Sequence, residues 1–532
     1  MSASVRFAAL GMISTFLFAG QSSGPKPAAA PLLTASAAAR ILEQATWGPT
    51  PATVSALQTQ GFDQWFQGQL NAPITTYPNQ PMLGPDGKAY GNMAGVQVQF
   101  FENALNNPDQ LRQRVAFALS EIWVVSKEGT IGYAAAFPPL LNIFQQDAFG
   151  TYGALMKDVT LNPAMGQYLD MVNNKKATAT YAPNENYGRE LMQLFTVGLN
   201  NLNQDGTLVL DKTGSPIATY SQSTVTAMTN ALTGWTYAAT AAGATGPNYF
   251  LPMVPVESKG LESQHDATQK MLSFTYPDGT VHTTTLPVGQ TAELDLQGAL
   301  GALSANPNMA PFISKQLIQH LVTSNPSTGY VSRIAGVFTS SGGSLKSVVY
   351  AILTDEEARA GDAGVSNELP TFGHLREPVL WIENLLRGLN GTVFDSSTIN
   401  GHTSALGQNL FYEPSVFSYF APEYHAGPLL APEFQLHTTQ TAVNRANYTY
   451  SLIYGGQLDA GTLFNISAFV TAATTSTAAL ETAINNQFFH GQMSAALQTA
   501  ITSGLTGLTT PTTKAQAALY IALTSSEFQV IH

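Results

Sequence analysis

The chain has 532 residues, 44% of them hydrophobic and only 11% charged, against about a quarter charged in an average soluble protein, so Thr, Ser, Asn, Gln and Gly must cover most of its surface. A net charge of −12 and a pI near 5.2 exclude a nucleic-acid footprint, which needs clustered Lys and Arg to neutralise phosphates. The absence of cysteine removes disulfides, thiolate catalysis and Cys-based zinc or iron sites together.

The N-terminus reads as a secretory signal: Arg6 supplies the positive end, residues 7–19 an apolar stretch, and Ala19-Gly20 a small-residue cleavage site. That run is too short to cross a bilayer of ~30 Å. Gln21 stands where a bacterial lipoprotein would need Cys. A cleaved protein, secreted or periplasmic, is expected, with residues 1–30 as signal and linker.

Order is expected from Ser36, which caps a helix to Gln44. Thr50-Pro51 opens a second helix that Gly61 stops, and Phe62, Trp65, Phe66 and Leu70 share one face of a third. After a Pro- and Gly-rich loop, helical spacing returns over residues 95–105 and 108–125. In the latter, Leu111, Val115, Ala118, Leu119 and Ile122 form the core stripe and Arg112, Arg114 and Glu121 lie off it. Further helices fall near 139–146 and 152–159, and Asn162-Pro163 starts another. Asp170 beyond it is either a polar partner for the next helix or a solvated helix end.

Residues 183–198 carry the densest polar pattern. Asn184 is a cap, Gly198 a stop, and Tyr187, Leu191, Leu194 and Phe195 make one apolar stripe. Glu185 and Arg189 are four apart, while Asn186, Glu190 and Gln193 form a neighbouring row. Glu185 and Glu190 point about 140° apart, so this helix alone presents no acid/base pair. Residues 201–220 read as a β-hairpin with turns at Asp205-Gly206 and Thr213-Gly214. Asn201, Asn203 and Asp205 imitate a calcium loop, but Lys212 stands where the bidentate Glu belongs. Within a long excursion over 238–290, strands are expected near 272–275 and 280–286. His265-Asp266, followed by Lys270, is a candidate metal pair or a base oriented by an acid; the alternative is that both tie down the loop.

Helices follow near 292–304, 308–322, 331–339, 345–355 and 372–389. His320 reads as a core or flank histidine, and Arg376 before Glu377-Pro378 as an anion clamp or a helix-end ion pair. Residues 410–434 alternate aromatics with Glu413, Glu423 and Glu433, which suits stacking on a sugar ring or plugging a gap between helical layers. Segments 440–453, 459–471, 478–488, 493–501 and 514–523 read as a terminal bundle. HExxH and Walker loops are absent, and the one G-x-S-x-G, at 20–24, lies in the signal region.

The runs NENYGRELMQLFTVGL, YSQSTVTAMTNALTGW and HDATQKML, with ILEQATWGPT, LRQRVAFALSEIWVVS, LREPVLWIENLLRGL, PSVFSYFAPEY, APEF and ALTSSEFQV, resemble the exported bacterial family called domain of unknown function 1800. The resemblance spans nearly the whole mature chain. It implies that many relatives carry Glu and His where this chain has Gln193 and Phe195, and that the protein shares a pathway with a second exported family.

The expected fold is mainly α, a large multi-helical globular protein with a small β-hairpin and short-strand insert at about 200–290. Its partition is a helical core over 31–435 and a C-terminal helical bundle over 436–532. Two functions fit. One is an exported interaction scaffold. The other is a hydrolase or other enzyme on an extracellular polymer such as a polysaccharide, with Glu190, Arg189, His265 and Asp266 in one pocket and metal assistance through His265 and Asp266. The residues specify no cofactor.

Overall fold

A computed structural model describes residues 33–240, 246–364, 367–393 and 395–532. The expected signal segment lies outside them. Among the described residues there are 23 α-helices and five sheets, each of only two antiparallel strands. No described helix is long and apolar enough to cross a membrane. The protein is mainly α, as the periodicity predicts.

With so few charges available, hydroxyls cap the helices. Thr34, Thr50, Thr151, Ser327, Ser344, Ser476 and Thr510 each accept from a backbone N–H of the first turn. At Thr438 the cap is reciprocal: its side chain accepts from Thr441 N while the Thr441 hydroxyl accepts from Thr438 N at 2.8 Å. Thr438→Ala is expected to cost about 1 kcal/mol, read from the urea midpoint of the purified protein.

Several boundaries move from the sequence reading. The first helix is Ala35–Ala45, capped by Thr34 rather than Ser36. The central helix shortens to Asn186–Gln193, because the Asn184 side chain accepts from Asn186 N at 2.9 Å and closes a turn ahead of it. Residues 201–220 do not form a regular hairpin. Isolated bridges join Leu202 to Leu208 and Leu210 to Pro216, and Asp205 and Asp211 spend their carboxylates on the N–H and hydroxyl of Thr207 and Thr213. Of the oxygens a calcium loop would have offered, those bonds engage Asp205 Oδ1. The regular hairpin is Lys270–Thr275 paired with Val281–Leu286. The helix expected over 459–471 begins at Ser467, since Asp459 turns the chain onto Gly461 N and Thr462–Leu463 pairs with Thr392–Val393.

The interior is one continuous apolar cluster reaching from Ala38 to Ile531. Phe195, fully buried, stacks on Trp123 at 4.5 Å, so it is a packing residue. Distant segments are stitched together by Arg376. Its Nε meets Glu43 at 2.8 Å, its Nη1 donates to the carbonyls of Phe528 and Val530, and the strand Val530–Ile531 pairs with His374–Leu375. Asn384 adds two bonds to Glu43 at 3.0 and 2.9 Å. Burial pushes the Glu43 carboxyl up, but Arg376 and His490 more than reverse this and hold it at about 2.

Candidate functional site

The sequence-predicted residues fall into two separate groups. On the central helix, Arg189 donates to Glu185 at 2.9 Å and to Gln222 at 3.2 Å, and Gln222 and Thr226 also donate to Glu185. This is a half-exposed network. Glu190 lies beside it, half-buried, with Oε2 enclosed and without a hydrogen-bond partner among the described residues. Burial raises its carboxyl, and Arg189 opposes the rise. Burial, joined by the charges of Glu413 and Glu190, pushes the Tyr168 phenol up to about 12. Asp170 accepts from Asn184 at 3.1 Å, so it does reach the entry of this helix.

His265 and Asp266 belong to the second group, a closed knot. The helix ending at Ala231 runs into Thr233-Gly234, where only glycine fits, since φ is +90 and a Cβ would lie 2.7 Å from His265 N. That approach lets the Thr233 carbonyl accept from His265 Nδ1 at 2.9 Å and the Thr233 hydroxyl accept from Asp266 N at 2.9 Å. On the other side, His265 Nε2 meets Asp295 Oδ2 at 3.0 Å, and Lys270 Nζ meets the same oxygen at 2.5 Å. Both imidazole nitrogens face acceptors, so neither lone pair is presented to a metal or to a substrate proton. Against the upward push of burial, hydrogen bonds from Thr268 and the charge of Lys270 hold the Asp266 carboxyl below its usual range. None of the hydrogen bonds or ion pairs of His265 and Asp266 among the described residues involves Arg189 or Glu190. Nor, among those residues, is any group of three or more His, Cys, Asp or Glu arranged to hold a metal ion.

A third constellation was not expected from the sequence. Arg114 and Glu121 lie on the helix Gln110–Ile122, His320 near the end of Met309–Leu321, and Glu377 at the cap of Pro378–Gly388. Gln408, fully buried, donates to both Glu377 and Glu121, while its own oxygen accepts from Val379 N at 2.9 Å. His320 Nδ1 stands 3.2 Å from Glu121 Oε2 but off the line of a hydrogen bond, and that oxygen has no partner among the described residues. Nearby, Glu413 accepts from Tyr419 at 3.1 Å and leaves its second oxygen unmatched among those residues.

Desolvation dominates this chemistry. Burial raises Glu121 to about 7 despite Glu377 and Arg114, raises Glu413 to about 8, and with the help of Glu121 lifts Glu377 well above the carboxylate range. Burial lowers His320, which therefore favours the neutral ring. Burial thus favours the protonated form of both Glu121 and Glu377.

The same shifts fix a pH dependence. Glu121 and Glu413 titrate higher folded than their ordinary 4.5, so their contribution to stability is complete below about pH 4.5 and is lost as pH rises through 7 and 8. Glu43, at about 2, works in the opposite sense, and its contribution is lost only as pH falls from about 4.5 toward 2. Urea unfolding across this range is expected to give the highest stability near pH 5 and a decline toward pH 8.

These carboxylates come from the stretches LRQRVAFALSEIW, LREPVLW and YEPSVFSYF. The signal that would have found them is scarcity. In a chain with 11% charged residues, an Arg or Glu inside a Leu- and Trp-rich helix is itself informative.

Residues 40–530 match the family described as "Protein of unknown function (DUF1800)". No curated protein matches, and no solved structure matches.

Proposed function

The chain belongs to the DUF1800 family, and from that premise we propose an exported, non-catalytic interaction protein that holds an extracellular or periplasmic partner on an uncharged aromatic face. The observation that carries this reading is the stripe Val443, Tyr450 and Tyr454 on the helix Thr439–Gly455, exposed by 50, 56 and 40%. Tyr450 and Tyr454 stack at 4.6 Å, and Tyr520 of the helix Pro511–Thr524 stands edge-on to Tyr450 at 6.2 Å. In those two helices the charged residues are Arg445, which is buried, and Lys514. Rigid tyrosines on a charge-poor patch are the usual anchors of an interface. Export is supported by the Arg6 and residue 7–19 pattern. A second exported protein of the same pathway, or a polysaccharide, is the partner this reading calls for.

A photo-crosslinker placed at Val443 in the living cell is expected to trap a discrete adduct in the envelope or medium fraction, and one at exposed Thr512 is not. A protein confined to the cytosol, or no adduct at Val443, would sink the reading.

One observation favours a second reading, an enzyme acting on an extracellular polymer: Glu121, near 7 beside Glu377, and the half-buried Glu190 have the raised carboxyls of general acids. Polymer turnover that Glu190→Gln or Glu121→Gln abolishes while the fold survives would replace the scaffold reading with this one.

A further inference from the structure

The structure holds a second surface of recognisable chemistry, remote in sequence from the tyrosine face; that its ligand is extracellular rests on the export reading above. A cleft of about 270 Å³ lies along the C-terminal half of the helix Ala94–Asn106, closed on its other side by Val393 and Ser396. Carboxamides dominate it: Gln99, Asn103, Asn106 and Asn107, with Glu102 as the one charged group among the described residues.

The amides are arranged rather than scattered. Asn103 is 1% exposed, and its Oδ1 accepts from Gln99 Nε2 at 2.7 Å and from Asn107 Nδ2 at 3.1 Å. Two side chains at the cleft are thereby fixed by a buried third, and their carboxamide oxygens have no hydrogen-bond donor among the described residues. Asn106 is exposed and keeps both its donor and its acceptor. Such preorganisation lowers the entropy lost when a ligand is bound.

The lining also limits what fits. Among the described residues no Lys or Arg borders the cleft, and the helix presents its C-terminal, partly negative end there, so phosphate, sulfate and other anions are disfavoured. A hard cation such as calcium wants six to eight oxygens with several carboxylates, and Glu102 is alone. Leu105 and Val393 supply only a narrow apolar edge, too little for a lipid or a flat aromatic compound. A ligand with adjacent hydroxyls that both donate and accept satisfies amides and a single carboxylate at once. The volume is just below the roughly 300–1,000 Å³ of sites that enclose a whole drug-sized molecule, which suits one unit of a longer chain lying across the cleft.

The geometry points to a binding subsite for a neutral, hydroxyl-rich sugar unit of an extracellular polysaccharide, held by Gln99, Asn106, Asn107 and Glu102.

Isothermal titration of the full purified chain with cellohexaose, maltohexaose and chitohexaose tests it. At least one of these is expected to bind saturably. Asn106→Ala is expected to weaken it about tenfold or more with the thermal midpoint unchanged, and the double variant Gln99→Ala/Asn107→Ala to weaken it as much, with a lowered midpoint because the buried Asn103 oxygen loses both its donors. The double variant Tyr450→Ala/Tyr454→Ala is expected to bind as the parent does, which separates this site from the tyrosine face. The assignment is overturned if no hexaose binds at millimolar concentration, if binding survives both cleft variants, if the tyrosine variant abolishes it, or if calcium chloride alone gives a saturable isotherm that Glu102→Gln removes.

Discussion

Replacing Asp295 by Asn is expected to cost the folded protein about 3–5 kcal/mol. Asp295 is completely buried at the start of the helix Ala292–Ser304, and one of its oxygens serves both His265 and Lys270. Asn keeps the volume and removes the charge. Lys270, itself 3% exposed, would then exchange its close carboxylate for a neutral amide oxygen, keeping the carbonyl of Asp266 and a carboxylate oxygen 3.8 Å away. An ammonium stranded in that way is what makes breaking a buried pair so much worse than never having had one. The companion experiment follows from the same logic: Lys270→Met combined with Asp295→Leu removes both charges and is expected to recover most of the loss. Urea unfolding at neutral pH reads both. A single variant as stable as the parent would mean that the knot contributes nothing to holding the hairpin Lys270–Thr275 against the helices.

The second large effect has the opposite sign. Glu383→Leu is expected to stabilise the protein at pH 8 by a few kcal/mol and to do much less at pH 4.5. Glu383 is fully buried in the helix Pro378–Gly388, and neither of its carboxyl oxygens has a partner among the described residues. Burial raises it to about 8 against the pull of Arg387. Its folded value therefore lies above its unfolded 4.5. The protonated acid is tolerated below about pH 4.5, and the penalty grows as pH climbs toward 8, by about 1.4 kcal/mol for each pH unit. Leu removes the titration and fills the space with apolar surface. Arg387 retains its bond to the Gly48 carbonyl at 2.7 Å, so the change orphans no cation. Stability curves for parent and variant that stay parallel from pH 4.5 to 8 would show that the Glu383 carboxyl is in contact with water.

Both sites show which features of the fold could be read from the chain and which could not. Thr50-Pro51 and Asn162-Pro163 begin helices where local capping chemistry says they must, and Asp278-Gly279 turns the hairpin between the strands expected near 272–275 and 280–286. Those are near-neighbour effects. His265 was visible as a candidate, but its partner Asp295, thirty residues on, looked like any acid in a first helical turn. Arg114, Glu121, His320 and Glu377 were harder still. Arg114 and Glu121 lie off the apolar stripe of their helix and so resemble a solvated flank, His320 reads as a core or flank histidine, and Glu377 stands at a helix cap. The helix Gln110–Ile122 is in fact enclosed on nearly every side, with Ser120 its most accessible member, and no periodicity within thirteen residues records what the other segments will cover. The Phe195–Trp123 stack was half legible. The apolar stripe called for a buried Phe195, while its partner seventy-two residues earlier is fixed only by tertiary packing.

The stitching of Glu43 to Arg376 and of His374–Leu375 to Val530–Ile531 has a consequence in time. A ribosome adding about 5–20 residues per second needs roughly 25–100 s between the first of these partners and the last. For about the first two-thirds of that interval Glu43 has no guanidinium, and for the rest Arg376 lacks the carbonyls that will receive it and the edge at His374 waits for a strand not yet made. The nascent chain therefore cannot complete its interior piece by piece from the N-terminus. It remains open until nearly all of it has been synthesised, and so it depends on whatever shields unfolded polypeptide during that delay.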